Sequence, residues 1–128
     1  MNDADRAEAK FLRTLSSAEA ATFLLENYAR GYPATIRHRS WDVEDQFRLA
    51  RQFLKGHAHA SPRPYEDFLS FMSLDNFLAV VLEGLRDIPK ERLDLLAYHL
   101  LPLLRRTARN GVELSKVNGI AERLLSPN

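Results

Sequence analysis

The sequence predicts an all-α fold: a compact, irregular bundle of about six to eight helices forming a single domain over residues 1–128. Two observations carry this. Apolar residues recur at three- and four-residue steps, most densely from Tyr65 to Leu104, where Phe68, Phe71, Met72, Phe77, Val81 and Leu85 lead into Leu93, Leu96, Leu100 and Leu104. No segment shows the alternation or β-branched enrichment that a strand requires.

Each element follows from local chemistry. Asn2 or Asp3 caps a first helix running to about Leu15, with Asp3 and Asp5 near its positive end. Ser16 and Glu19 form a capping box that opens a second helix, whose Ala20, Phe23, Leu24 and Tyr28 share a face and which Gly31 and Pro33 terminate. A short connection, ATIRHR, covers residues 34–39. Ser40 is the expected cap of a third helix to Lys55, with Val43, Phe47, Ala50 and Leu54 as its packed stripe and Gly56 as its stop.

The HAHASPRP segment at 57–64 reads as a loop, because its prolines and serine discourage helix and sheet alike. A short helix follows from Tyr65 to Met72. Ser73 then caps another, from Leu74 to about Arg86, in which Gly84 marks either an end or a close helix contact. Ile88-Pro89 starts a further helix with proline in its first turn. Pro102 is expected to kink or divide that helix, and Asn110-Gly111 to stop it. Val117, Ile120, Ala121, Leu124 and Leu125 define a last helix over about 115–125.

Composition narrows the function. There is no cysteine, which removes disulfides and thiolate metal sites. The N-terminal stretch carries acids and has no apolar run with a cleavage site, and no apolar run approaches bilayer length, so a cytoplasmic protein without membrane association is the expectation. The net charge of +1 hides a division: residues 30–63 carry seven bases against three acids, whereas residues 64–99 carry seven acids against three bases. Such a chain has no global field for nucleic acid but would show separate basic and acidic faces to a partner.

Candidate chemistry is sparse. His57 and His59 supply only half a metal site and read as exposed loop residues. His38 lies between Arg37 and Arg39 in a solvated basic connection, and His99 reads as a half-buried histidine bonded to a backbone carbonyl. Arg105, Arg106 and Arg109 would form a phosphate patch only if Arg37, Arg39, Arg48 and Arg51 converged on them; Trp41 reads as a staple for the connection. No phosphate loop, nucleophile elbow or metalloprotease helix is present, so neither an enzyme nor a cofactor is expected.

The passage PYEDFLSFMSLDNFLAVVLEGL, residues 64–85, combines an aromatic-rich short helix, a serine-capped turn and an amphipathic helix containing Asp75-Asn76-Phe77. In this it resembles the helical core of bacterial immunity proteins, particularly those paired with contact-dependent growth inhibition toxins and related polymorphic toxins. The resemblance implies a cytoplasmic protein that binds the C-terminal toxin domain of its cognate effector and occludes the active site or substrate cleft. Toxins of this kind are frequently nucleases with basic clefts, for which an acidic helix surface would substitute for the nucleic-acid backbone.

Charge and helix position nominate Asp67, Asp75, Glu83, Asp87, Glu91 and Asp94 for that surface, with Tyr65 and Tyr98 as aromatic anchors. The chain is not acidic overall, which leaves room for a toxin of another activity or for an interface in the basic 30–63 region. The alternative is a helical adaptor or regulator, homodimeric if it exposes an apolar patch. A nucleic-acid-binding regulator ranks after it, and an enzyme last.

Overall fold

Side-chain caps open the first two helices. The computed structural model describes residues 2–54 and 61–125. In it the Asp5 N–H donates to the Asn2 Oδ1 at 2.8 Å, opening α1 (Asp3–Arg13). The capping box of α2 (Ser17–Asn27) is reciprocal: the Glu19 N–H donates to the Ser16 Oγ at 3.1 Å, and the Ser16 N–H to the Glu19 carboxylate at 3.2 Å. After α2 come a 3₁₀ turn (Ile36–His38), α3 (Val43–Phe53), α4 (Arg63–Leu69) and α5 (Leu74–Gly84). Then a second 3₁₀ turn (Leu85–Asp87) leads into α6 (Lys90–Thr107) and α7 (Gly111–Leu125). There are seven α-helices and no strand among the described residues, as the periodicity predicts.

α5 is central, packing on α3, α4 and α7, while α2 lies on α3 and α6 on α7. Leu24, Leu49, Phe68, Phe77, Leu100, Leu104 and Val117 are fully buried in one shared core. Trp41 acts as the expected staple. It packs near Phe71, with ring centroids 6.5 Å apart, and its Nε1–H donates to the Ile36 carbonyl at 2.8 Å. Arg39 lies over the same indole and donates from Nη1 to the carbonyls of Leu12 and Leu15 at 2.8 and 2.9 Å. It thereby adds a charged donor to carbonyls at the end of α1, where the regular helical pairing stops.

Several expectations change. α3 begins at Val43 rather than after Ser40, because the Asp42 N–H is satisfied by the Ser17 Oγ at 2.9 Å, from across the bundle. Its buried face is Asp45, Gln46, Leu49, Ala50 and Phe53, and Val43 is 56% exposed. Of the expected stripe, Ala50 and Leu54 are buried and Phe47 packs against the core, and Val43 alone turns to solvent. The rest of the buried face is partly polar: Asp45 accepts from the Ser17 hydroxyl at 2.6 Å and Arg48 at 2.9 Å, and Gln46 donates to the Trp41 carbonyl at 2.9 Å.

Pro102 does not divide α6; the leucines before and after it occupy one continuous buried face, and the proline itself lies on the exposed side. α7 starts at Gly111 rather than Ser115, since Asn110 caps it: the Glu113 N–H donates to the Asn110 Oδ1 at 2.9 Å, and the Arg109 N–H to the Glu113 carboxylate at 2.7 Å. Gly84 closes α5, and a Cβ there would meet nothing within 4 Å, so it marks an end and not a close contact. Pro62 precedes α4 and Pro64 occupies its first turn, so the loop assigned to 57–64 gives way to helix at Arg63. The Gly56 stop lies outside the described residues.

The buried face of α3 predicts unequal costs for two truncations. Leu49→Ala, at a fully buried position, should lower the unfolding free energy by about 2–5 kcal/mol, and Val43→Ala should stay within about 0.5 kcal/mol. Equal losses in denaturant titrations would place Val43 in the core beside Leu49.

Candidate functional site

The residues nominated for a partner surface separate into three groups. Tyr65 and Asp67 are 2% and 0% exposed and cannot touch a partner. α4 is short and wedged between the Ile36–His38 turn and α5, which turns Pro64, Tyr65, Asp67 and Phe68 inward and leaves Glu66 in solvent. Asp67 is instead a structural acceptor: the Tyr32 hydroxyl donates to its Oδ2 at 2.8 Å, and the Arg37 Nη1 lies 3.6 Å from its Oδ1. Burial, and then the bond to Asp67 and its charge, push the Tyr32 hydroxyl far above the ordinary tyrosine range.

Asp75 and Glu83 are exposed, but the chain itself neutralises them. The Lys116 Nζ of α7 lies 2.7 Å from the Asp75 Oδ1 of α5. The Arg51 guanidinium of α3 grips Glu83 in a fork, from Nε at 3.0 Å and Nη2 at 3.2 Å. The hydrogen bond from Arg51 holds the Glu83 carboxyl below its ordinary value, and the same contact raises the guanidinium. Each carboxylate points at a cation, which cancels most of the field it would project to a partner.

Asp87, Glu91 and Asp94 form the third group. They are exposed and have no ion-pair partner among the described residues. Asp87 sits in the 3₁₀ turn before α6, Glu91 in the first turn of that helix and Asp94 one turn later. α6 buries Leu93, Leu96, Leu100, Leu103 and Leu104. At 3.6 residues per turn the opposite ridge is then Glu91, Asp94, Leu95, Tyr98, Pro102 and Arg105, and all six are exposed. Tyr98 is 75% exposed, more than any other large hydrophobic among the described residues. Beside it a shallow groove of about 770 Å³ runs past Leu101, Pro102 and Leu125 to Arg105 and Arg106. Pro102 has no N–H to offer the Tyr98 carbonyl, so that acceptor loses its helical donor on the exposed side.

The arginines do not converge into a phosphate patch. Arg37 faces Asp67, Arg39 caps α1, Arg48 binds Asp45 and the Thr22 hydroxyl, and Arg51 holds Glu83. Arg105, Arg106 and Arg109 stay apart at the end of α6, where cations suit the helix dipole. His99 is half-buried as expected, but its ring meets Tyr98 edge-on at 5.1 Å, and no bond to a backbone carbonyl is present among the described residues. His57 and His59 lie outside the described residues, and no group of metal-ligating side chains occurs among those described. No described helix is long and apolar enough to cross a membrane.

The sequence reading overlooked the basic end of this ridge as part of the Tyr98 surface. Spacing alone could have supplied it, because Pro102 and Arg105 stand four and seven residues beyond Tyr98, opposite the leucines. Comparison with known protein families, characterised proteins and solved structures returns no match.

The Tyr32–Asp67 contact predicts a pH dependence. The folded state raises the Tyr32 pKa, so the stability this contributes is present below the unfolded tyrosine value of about 10 and is lost as pH rises beyond it. Tyr28, pushed up to about 12 chiefly by burial and then by its bond to Glu8, acts in the same direction. Unfolding free energy should therefore fall more steeply between about pH 9 and about pH 11 in the native chain than in Tyr32→Phe. Parallel curves would show that the hydroxyl contributes nothing to the slope.

Proposed function

We propose that this chain is an immunity protein that binds a cognate bacterial toxin domain and occludes its active site or substrate cleft, the toxin being in the first instance a nuclease. The observation that carries the reading is the line of exposed, internally unpaired carboxylates Asp87, Glu91 and Asp94 leading to the exposed ring of Tyr98. A basic nucleic-acid cleft presents the complementary field, and these carboxylates would stand where phosphates stand in the substrate. Tyr98 offers what an interface anchor needs: a large, rigid amphipathic side chain held on a helix whose other face is locked in the core. Occlusion requires no chemistry from the inhibitor, which agrees with a chain lacking a recognisable catalytic motif. The acidic surface is narrower than the sequence suggested, because Asp75 and Glu83 already have cations of the chain's own.

A second reading, a helical adaptor or regulator that binds another protein without silencing an enzyme, draws support from the same ridge. Arg105 and Arg106 at its far end have no use in a purely basic cleft. Affinity capture from the native host, followed by titration of the captured partner against its enzymatic activity, separates the two. A one-to-one complex that abolishes a toxin's activity supports immunity; a stable complex with undiminished partner activity supports the adaptor and removes the immunity reading.

On the captured partner, reversing Asp87, Glu91 and Asp94 to lysine should lower the association rate about tenfold or more at low salt and leave the fold intact. Tyr98→Ala should act mainly on dissociation and weaken binding by about 2 kcal/mol or more. Stopped-flow kinetics at two ionic strengths reads both; unchanged kinetics in the two variants would exclude α6 as the interface.

A further inference from the structure

The exposed ridge of α6 is complementary to itself. Glu91 and Arg105 stand seven residues to either side of Tyr98, each about 10 Å along the axis at 1.5 Å per residue. Asp94 adds a second acid on the N-terminal side of the ridge, Arg106 stands on its flank, and the exposed centre is Leu95, Tyr98 and Pro102. Lys90 and Arg92 are exposed on the flanks of the same helix, so it is the ridge, and not the whole helix, whose charge changes sign about a central aromatic residue. Such a ridge fits one arrangement above others: a second copy running antiparallel. A two-fold axis at Tyr98 sets Glu91 of one copy opposite Arg105 of the other and brings the two Tyr98 rings together, so that both charge pairs form at once. The parallel arrangement sets like charges against like.

We infer that the protein self-associates through α6 as an antiparallel, two-fold symmetric dimer centred on Tyr98. Such a dimer forms whether or not a toxin partner exists. The groove beside Tyr98 supplies apolar area from Pro102 and Leu125, and the charges at either end of the ridge fix direction and register. One 18-residue helix gives a contact at the small end of specific interfaces, so the dimer is dissociable and weakens with salt. A partner seated on Tyr98 would compete with the second copy, and a dimer would then be replaced by a one-to-one complex.

The test uses the purified full chain alone. Sedimentation velocity from about 10 µM to about 1 mM should show a monomer–dimer equilibrium in the native protein. Two variants separate the charges: Glu91→Arg with Asp94→Arg makes the ridge wholly basic, and Arg105→Glu makes it wholly acidic. Each should be monomeric over the same range, and an equimolar mixture should recover a dimer at least tenfold tighter than either variant forms with itself. Tyr98→Arg, at a position 75% exposed, should also be monomeric while retaining its helical circular dichroism. A native chain that stays monomeric throughout, a dimer that survives both reversals unchanged, or a mixture of folded variants that remains monomeric would overturn the inference.

Discussion

The leucine face of α6 orients the surface on which the functional argument rests. Leu93, Leu96, Leu100, Leu103 and Leu104 are buried against α7 and the shared core, and each removes on the order of 1.5–3 kcal/mol worth of apolar surface from water. That burial fixes the rotation of the helix about its axis. Once the leucines point inward, the 3.6-residue period leaves no choice about what points outward. Glu91, Asp94, Tyr98, Pro102 and Arg105 are held on a rigid ridge as a consequence of core packing, without a loop or hinge of their own.

The rest of the bundle is notable for charges retained inside it. Asp45 and Asp67 are both buried beside a hydroxyl and an arginine: Ser17 and Arg48 bond the first, whereas Tyr32 bonds the Oδ2 of the second and Arg37 lies 3.6 Å from its Oδ1, which accepts no hydrogen bond among the described residues. Leaving either carboxylate alone in the interior would be costly, so each pair also fixes the segments that supply its partners. Ser17 ties α2 to the start of α3. Tyr32 and Arg37 tie the long connection after α2 to α4, and Trp41 and Arg39 complete its attachment through the Ile36 carbonyl and the end of α1. Much of the basic 30–63 region is thus committed to holding the fold.

This internal use of charge decides how the surface reads. Seen along the chain, acids and bases form alternating blocks that suggest an acidic face and a basic face. In the folded protein Arg51 and Lys116 cancel Glu83 and Asp75, Asp67 is inside, and four of the arginines are engaged. The residual pattern is smaller and more specific: along the exposed ridge of α6 Glu91 and Asp94 stand before Tyr98 and Arg105 after it, with Asp87 in the preceding turn and the cations Lys90 and Arg92 on the flanks. A dipolar ridge of this form recognises orientation as well as charge, which is how it bears both on a basic partner and on a second copy.

The sequence by itself determined the helical class, the capping box at Ser16 and Glu19, the Ser73 cap of α5 and the staple role of Trp41, because these depend on periodicity and on contacts a few residues apart. It also placed Glu91, Asp94 and Tyr98 on exposed surface, where they stand opposite the leucines of α6, with Asp87 exposed in the turn before it. Only the tertiary structure decided the burial of Asp67, the inward place of Asp45 on α3, and the neutralisation of Asp75 and Glu83. Each of these turns on a partner between twenty-eight and forty-one residues away, brought into place by packing. A carboxylate's neighbours along the chain cannot report whether a hydroxyl or a guanidinium from another helix will meet it, and that meeting determines whether its charge is spent within the fold or offered to a partner.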